Sequence, residues 1–259
     1  MRRLNIPRAY QAVQEALEES ILSGQLPPGQ PLPTETELAA QFGVTRHTVR
    51  EGMRALEQSG LVKRDAGRRL YVTLPSHDAL APKASNALLM HGVSFLELWE
   101  VAMPIEICAI ELAMMRAPPE LADQLFANIE AMEHELARGR SIVQLDIEFH
   151  ALIAHAAQNR VLLLSREPVS MLFYPSLQRL FTLPQTRDIS PARLLRAHKE
   201  IAKAVAERDR LLAKTWMTRH MADFRRGYEF AGLDLNDKVG EPERLDVAAQ
   251  SSRRPSDRA

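Results

Sequence analysis

Four side chains able to bind a metal ion stand at spacings that helices would bring together. Asp146 and His150 are four residues apart in QLDIEFHALIAHAAQN, one helical turn, so they project from one face. His198 and His220 fall on two later predicted helices. One carboxylate and three imidazoles form a donor set suited to zinc, nickel or manganese, and such a site can leave positions open for a carboxylate ligand. Eight histidines in 259 residues also give many chance sets, and a histidine in a helical protein is most often a satisfied partner or a surface group. Spacing alone leaves both readings open. A hydrolytic use of the ion would need a general base beside it, and Glu148 points off the Asp146–His150 face.

A second constellation is cationic. Residues 44–72 contain seven basic side chains (Arg46, Arg50, Arg54, Lys63, Arg64, Arg68, Arg69) against three acidic ones, whereas residues 76–235 hold 18 basic and 20 acidic. The whole chain has 33 of each sign, so its zero net charge hides a local basic face. Arg46 and Arg50 lie one turn apart and can reach adjacent bases or phosphates; a bidentate arginine on guanine contributes roughly 1–3 kcal/mol of discrimination. Thr45, His47 and Thr48 are short polar groups at a predicted helix start, where free amides also favour phosphate. Arg68 and Arg69, at a predicted hairpin tip, suit phosphate or a narrow minor groove. The competing reading is a solvated helix face.

The elements that must position these groups follow from periodicity and capping. Tyr10, Val13, Leu17 and Ile21 repeat at helical spacing, and Ser23-Gly24 closes that helix. After LPPGQPLPTETE, Thr34 with Glu37 forms a capping box for a short helix broken at Gly43. Thr45 caps the next, which ends at Ser59-Gly60. Two apolar runs, Leu61–Arg64 and Arg69–Val72, flank a Gly-containing turn and predict a hairpin. Helix, helix, turn, helix, hairpin is the plan of a winged helix-turn-helix, and the capping box, the Gly43 break and the basic hairpin favour a DNA reader over a solvated face.

Beyond a linker over 75–92, rich in prolines and small polar residues, the segments up to about residue 230 predict helix: about 94–116, opened by a Ser94–Glu97 capping box and kinked at Pro104, 118–139, 141–158, 160–181 interrupted at Pro168 and Pro175, 190–208 opened by Ser190-Pro191, and 209–230 capped by Asp209. The fold class is therefore mainly α, a winged helix-turn-helix followed by an antiparallel all-α bundle. The expected domains are residues 1–74 for DNA binding, 75–92 as a linker, 93–235 as the helical domain and 236–259 as a disordered tail. A single cysteine excludes a disulfide scaffold and a thiolate zinc cluster, and no long uncharged apolar stretch or signal core is present. A cytoplasmic protein without membrane partners is expected.

The run ESILSGQLPPGQPLPTETELAAQFGVTRHTVREGMRALEQSGLVKRDAGRRLYV closely resembles the DNA-binding domain of GntR-type transcriptional regulators, over residues 10–72. By position, the resemblance implies that Thr45, Arg46, Thr48 and Arg50 contact DNA and that Gly67 sits at the wing tip. Two departures bear on the operator sequence. Thr36 stands where many members have arginine, and Arg69 stands where the wing usually has a second glycine.

Residues 90–230 resemble the FCD ligand domain of the FadR-type branch, on Asp146, His150, Asn159, His198, Asp209 and His220. In metal-binding members, the positions of Asp146, His150, His198 and His220 hold a divalent ion. The resemblance implies a homodimeric regulator on a palindromic operator, a repressor by the family's habit, with a small-molecule effector, typically a carboxylate, bound beside the metal. Asn159, Arg166 and Arg179 are the candidate effector-binding residues. Where many members carry an arginine facing that carboxylate, the motif here reads EVAMPIE and places Ala102, which points to a different acid, a more apolar ligand or another arginine. Met103, Met171 and Phe173 are expected in the core. A constitutive dimeric DNA-binding protein without effector and a metal-dependent hydrolase are the alternatives; neither is preferred, and no catalytic residue is assigned.

Overall fold

A computed structural model of the protein describes residues 9–66, 69–74, 77–116 and 118–240. These contain ten helices and one two-stranded sheet, in two compact units divided between Leu80 and Ala81. No helix among the described residues is long and apolar enough to cross a membrane.

In the N-terminal unit, α1 (Ala9–Leu22) buries Val13 and Leu17. Thr34 opens α2 (Glu35–Phe42) with the expected capping box, accepting from the Glu37 amide while Glu37 Oε2 accepts from the Thr34 amide at 2.7 Å. Gly43 closes α2 at φ 65°, a left-handed conformation that favours glycine. Thr45 then caps α3 (Arg46–Ser59), whose Val49, Gly52, Met53 and Leu56 are buried. Strands β1 (Val62–Arg64) and β2 (Leu70–Val72) pair antiparallel with Lys63 opposite Tyr71. The proline-containing turn does more than reverse the chain. Its residues 29–32 bond to β2, with the Leu32 amide donating to the Leu70 carbonyl and the Gly29 amide to the Val72 carbonyl, both at 2.8 Å.

Residues His77–Met90 form α4, where prolines and small polar residues suggested a linker over 75–92. One internal proline, Pro82, removes one helical hydrogen bond, and the four alanines of ALAPKASNA restore helix propensity. The C-terminal unit continues with α5 (Phe95–Arg116), α6 (Leu121–Ala137), α7 (Val143–Ala156), α8 (Arg160–Thr182), α9 (Ile189–Ala206) and α10 (Arg210–Phe230). Their apolar faces enclose a core containing Ile110, Leu125, Met132, Phe149, Ile153 and Ile201, all essentially inaccessible to water. A second cluster holds Phe95 stacked on Tyr228, with ring centroids 3.8 Å apart.

Three boundaries differ from expectation. Helix α8 runs unbroken through Pro168 and Pro175, because burial of Leu162, Leu172, Leu177 and Leu180 outweighs two missing amide donors. Helix α9 starts at Ile189, with Asp188 rather than Ser190 at its cap. Residues 236–240, assigned by composition to the tail, are tied back to the start of α5. The Phe95 amide donates to the Asp237 carbonyl at 3.1 Å and the Val239 amide to the Val93 carbonyl at 3.0 Å. The rest of the expected tail, 241–259, lies outside the described residues.

The α1–α3 crossing is close enough to forbid a side chain. A Cβ on Gly52 would lie 2.9 Å from the Tyr10 carbonyl oxygen and 3.0 Å from Val13 Cγ1. Gly52→Ala gains helix propensity but forces α1 outward, and overpacking prevails by about 1–2 kcal/mol. Amide hydrogen exchange of α1 and α3 should accelerate in that variant while α6 and α9 keep their rates; unchanged exchange in α1 would show that the crossing accepts a methyl group.

Candidate metal centre and nucleic-acid interface

The C-terminal helices bring all four predicted ligands together. Asp146 and His150 come from α7, His198 from α9 and His220 from α10. Each is buried, and one ligand atom from each lies within 4.8 Å of the others. Asp146 Oδ1 is 3.3 Å from His198 Nε2 and 3.8 Å from His150 Nε2, and His150 Nε2 is 3.0 Å from His220 Nε2. Phe149, between the two α7 ligands in sequence, stacks flat on His198 with centroids 3.8 Å apart and 6° between planes. The stack fixes the plane in which His198 presents its nitrogens.

The arrangement fits a metal better than it fits a closed hydrogen-bond network. Asp146 Oδ1 and both nitrogens of His198 are buried without a hydrogen-bond partner, and such orphaned atoms are costly. His150 Nδ1 faces Glu106 Oε2 at 2.9 Å; when this nitrogen carries the proton, a neutral His150 turns the lone pair of Nε2 toward His220. Two imidazole nitrogens, a carboxylate oxygen and an unsatisfied His198 thus converge on one point. Metal–ligand distances of about 2.0–2.2 Å allow at most about 4.4 Å between two ligand atoms, so the widest pair has a few tenths of an ångström to close.

Electrostatics prepare the donors. Burial opposes ionisation of Asp146, yet His198 and His150 hold its carboxyl at about 2. Burial pushes His198 down and His220 well down, the latter helped by the neighbouring His198 and His150. Burial also works against a charged His150, but Glu106 reverses the balance and raises it.

Glu106 is the residue that sequence reasoning left without a role. It sits on α5, one turn after Ala102, and is buried between two partners, His150 and Arg166. Besides His150 it accepts from Arg166 Nε at 2.7 Å. Burial disfavours its charge, but Arg166 and then His150 hold it at about 2. Arg166, 2% exposed, also donates from Nη1 to Glu167 Oε1 at 2.7 Å. Its position in EVAMPIE was the available signal: an acidic residue four after a pocket position, on a helix otherwise apolar at that face.

A cavity of about 60 Å³ opens beside the cluster, room for a few water molecules at roughly 10–15 Å³ each. Asp146, His150, His220, Glu106 and Arg166 line one part, and Phe173, Leu177, Leu194, Met221 and Phe224 another. Ala102 and Tyr174 also face it; burial pushes the Tyr174 hydroxyl up to about 12, so it is a neutral donor. Of the three candidate effector residues only Arg166 lines this cavity. Asn159 caps α8 instead, accepting from the Val161 amide at 3.0 Å and the Leu162 amide at 3.2 Å. Arg179 lines a separate surface recess with Gln178 and Thr182. Phe173 belongs to the cavity wall as well as to the core, while Met103 only packs on the core and Met171 is partly exposed. His91, His134 and His155 are exposed and outside the cluster, and Glu148 is exposed and accepts from Gln144.

In the N-terminal unit, α3 presents its first turn to solvent. Thr45 Oγ1 accepts from the Thr48 amide at 3.2 Å and lies 2.9 Å from Thr48 Oγ1, so both are committed first to capping. Arg46 and His47 are exposed. Arg50 does not stand free: its Nε and Nη2 fork onto Glu35 at 2.9 and 2.7 Å, and Arg46 Nη2 reaches the same carboxylate at 4.0 Å. The two arginines share a face, with α2 supplying a carboxylate that orients Arg50 and lowers the Glu35 carboxyl. Arg64 likewise forks onto Glu57. The Arg69 amide donates to Asp65 Oδ1 at 2.9 Å, leaving the side chain exposed. Gly67 and Arg68 lie outside the described residues.

Comparison with known proteins agrees with this division. Residues 9–72 match the gntR family of bacterial regulatory proteins, and residues 97–223 match the FCD domain. The HTH-type transcriptional regulator YdhC of Bacillus subtilis is 30% identical over 207 residues, 79% of this chain and 84% of YdhC. The HTH-type transcriptional repressor NanR of Cronobacter sakazakii is 30% identical over 152 residues, so the match spans 58% of this chain and 58% of NanR. The solved structure of Streptococcus agalactiae GntR superposes with a TM-score of 0.59 at 26% identity, covering 84% of this chain and 99% of that one. These relatives are regulators rather than enzymes, which removes the hydrolase alternative. With YdhC matched over most of its length and both domain models in order, the chain belongs to the GntR family of bacterial transcriptional regulators, and its C-terminal domain is an FCD domain.

Proposed function

We propose that this chain is a homodimeric, ligand-responsive repressor acting in the cytoplasm. Its winged domains bind a palindromic operator, and its helical domain binds a small organic acid beside a divalent ion, zinc first, with nickel or manganese as alternatives. The observation that carries the reading is the buried convergence of Asp146, His150, His198 and His220 with three polar atoms left unsatisfied. The repressor role is taken from the name of the relative NanR.

The ion would be held by those four side chains and would supply a Lewis-acidic attachment point for the effector's carboxylate. Glu106 accepts from His150 Nδ1 and so aims Nε2 inward, while Arg166 neutralises Glu106. On the DNA side, Arg46 is the exposed reader at the start of α3, Arg50 is pre-oriented by Glu35, and Arg69 on the wing meets backbone phosphate. An effector that favours one domain arrangement over another by about 1–3 kcal/mol changes operator affinity roughly 5–150-fold.

Elemental analysis of untagged protein, purified without added metal or chelator, tests the centre. About one ion per chain is expected in the wild type and none in His198→Ala; an ion-free wild type after reconstitution with zinc, nickel and manganese would make the cluster a polar pocket. Glu106→Gln should weaken metal retention by about 10–100-fold against a competing chelator, and equal retention would remove its positioning role.

Fluorescence anisotropy on operator DNA tests the reading face. Arg46→Ala and Arg50→Ala are each expected to lower specific affinity by more than about 1 kcal/mol, whereas Arg69→Ala should weaken all sequences alike and reduce the salt slope by about one. Unchanged affinity in the first pair, or an unchanged slope in the third, contradicts the corresponding assignment.

A further inference from the structure

The cavity changes character away from the metal face. Phe173, Leu177, Leu194, Met221 and Phe224 form a wall without charged groups. A second cavity of about 40 Å³ lies beyond it, and Leu177, Leu194, His220 and Phe224 line both spaces. The second space continues along Leu180 and Phe181 toward Arg193 and Asp223. Gly227 is part of its wall, and a Cβ there would stand 3.4 Å from Leu180 Cδ1, an ordinary contact. The glycine therefore leaves room rather than meeting a steric demand. Between the two spaces stand His220 and the side chains of Leu177, Leu194 and Phe224, the last three movable by rotamer changes.

Charge at the polar end sets the head group. Glu106 and Arg166 neutralise each other at 2.7 Å. A divalent ion facing Asp146 and three neutral imidazoles then leaves one net positive charge, which a single carboxylate matches. Within the first cavity a second carboxylate would meet Ala102 and aromatic rings where it needs a cation, and Glu167 already reaches Arg166 at 2.7 Å. Hydroxyl groups along the body would face the apolar wall, each unpaired one costing about one to two powers of ten in affinity.

We propose that the effector is a monocarboxylate with a slim apolar chain, its head at the Asp146–His150–His220 end and its chain passing the Leu177–Leu194–Phe224 partition into the second cavity. The proposal rests on the reading of a metal-held acid given above.

Calorimetry on full-length, metal-loaded protein with acetate, butyrate, hexanoate and octanoate, against citrate and gluconate, tests it. Ion content and operator release are measured on the same samples. Affinity should rise about fourfold per methylene through hexanoate, with citrate and gluconate at least about tenfold weaker than hexanoate. Gly227→Val, with Gly227→Ala as the milder change, should weaken hexanoate and leave butyrate unaffected. A flat chain-length series, tighter binding of citrate or gluconate than of every monocarboxylate, or equal weakening of butyrate and hexanoate by the Gly227 changes would overturn the proposal. Loss of the metal reading is seen separately, as protein without ion before any acid is added. Loss of the regulatory reading is seen as acid binding that leaves operator affinity unchanged, with the chain-length result still standing.

Discussion

A carboxylate buried among three imidazoles, inside a bundle otherwise packed with leucine, isoleucine and alanine, is the constraint on which the C-terminal domain is organised. Burying one ion without compensation costs several kcal/mol even after relaxation, and here two carboxylates and a guanidinium are buried together. The carboxylates divide their compensation. Glu106 is neutralised within the protein by Arg166 and fixed by His150. Asp146 has only imidazoles near it, none aligned as a full hydrogen bond to Oδ1. One carboxylate is thus satisfied by the fold, and the other keeps a buried oxygen that the fold leaves unsatisfied, which is the physical difference between a supporting group and a candidate ligand.

That division dictates the helix phases. Asp146 and His150 share a face of α7 only because they are one turn apart, and Phe149 between them points into the core to stack on His198. The aromatic stack couples a core side chain of α7 to the orientation of a candidate ligand on α9, so the apolar core and the polar centre cannot be rearranged independently. Helix α8 supplies Arg166 and, one turn on, Ser170 to the cavity. Between them the Pro168 carbonyl accepts from Ser85 of α4 at 2.8 Å. Within the C-terminal unit, Ser85 is therefore hydrogen-bonded to the same stretch of α8 that walls the cavity.

What could be read from the sequence was local or periodic. The capping boxes at Thr34 and Ser94, the αL glycines at 43 and 60 and the Asp209 cap are contacts within four residues, and they form as their sequences dictate. The four candidate metal ligands were legible because i, i+4 spacing fixes one pair and family resemblance supplied the others. What escaped is non-local. Glu106 and Arg166 are 60 residues apart, and nothing in either segment announces the pair. Asn159 carried the family pattern but its side chain is occupied by the two amides it caps, a role that its place before Arg160-Val161 also predicts. The strip 29–32 against β2 and the return of 233–240 onto α5 are backbone pairings, and their side chains leave no periodic signature.

The winged domain shows the opposite balance between charge and burial. Its arginines are exposed, and pairing to Glu35, Glu51 and Glu57 in high-dielectric surroundings contributes little stability. The pairs act on geometry instead. Glu35 holds the fork of Arg50 from a neighbouring helix, so that side chain loses less conformational freedom when it meets a planar acceptor, while Arg46, 4.0 Å from the same carboxylate, is held less closely and stays exposed. A phosphate or guanine edge arriving at this face must compete with Glu35 for Arg50 but not for Arg46 to the same degree. The two arginines, equivalent by spacing on α3, are thereby made unequal by one acidic residue of α2, and the inequality arises from the tertiary contact between α2 and α3 rather than from α3 alone.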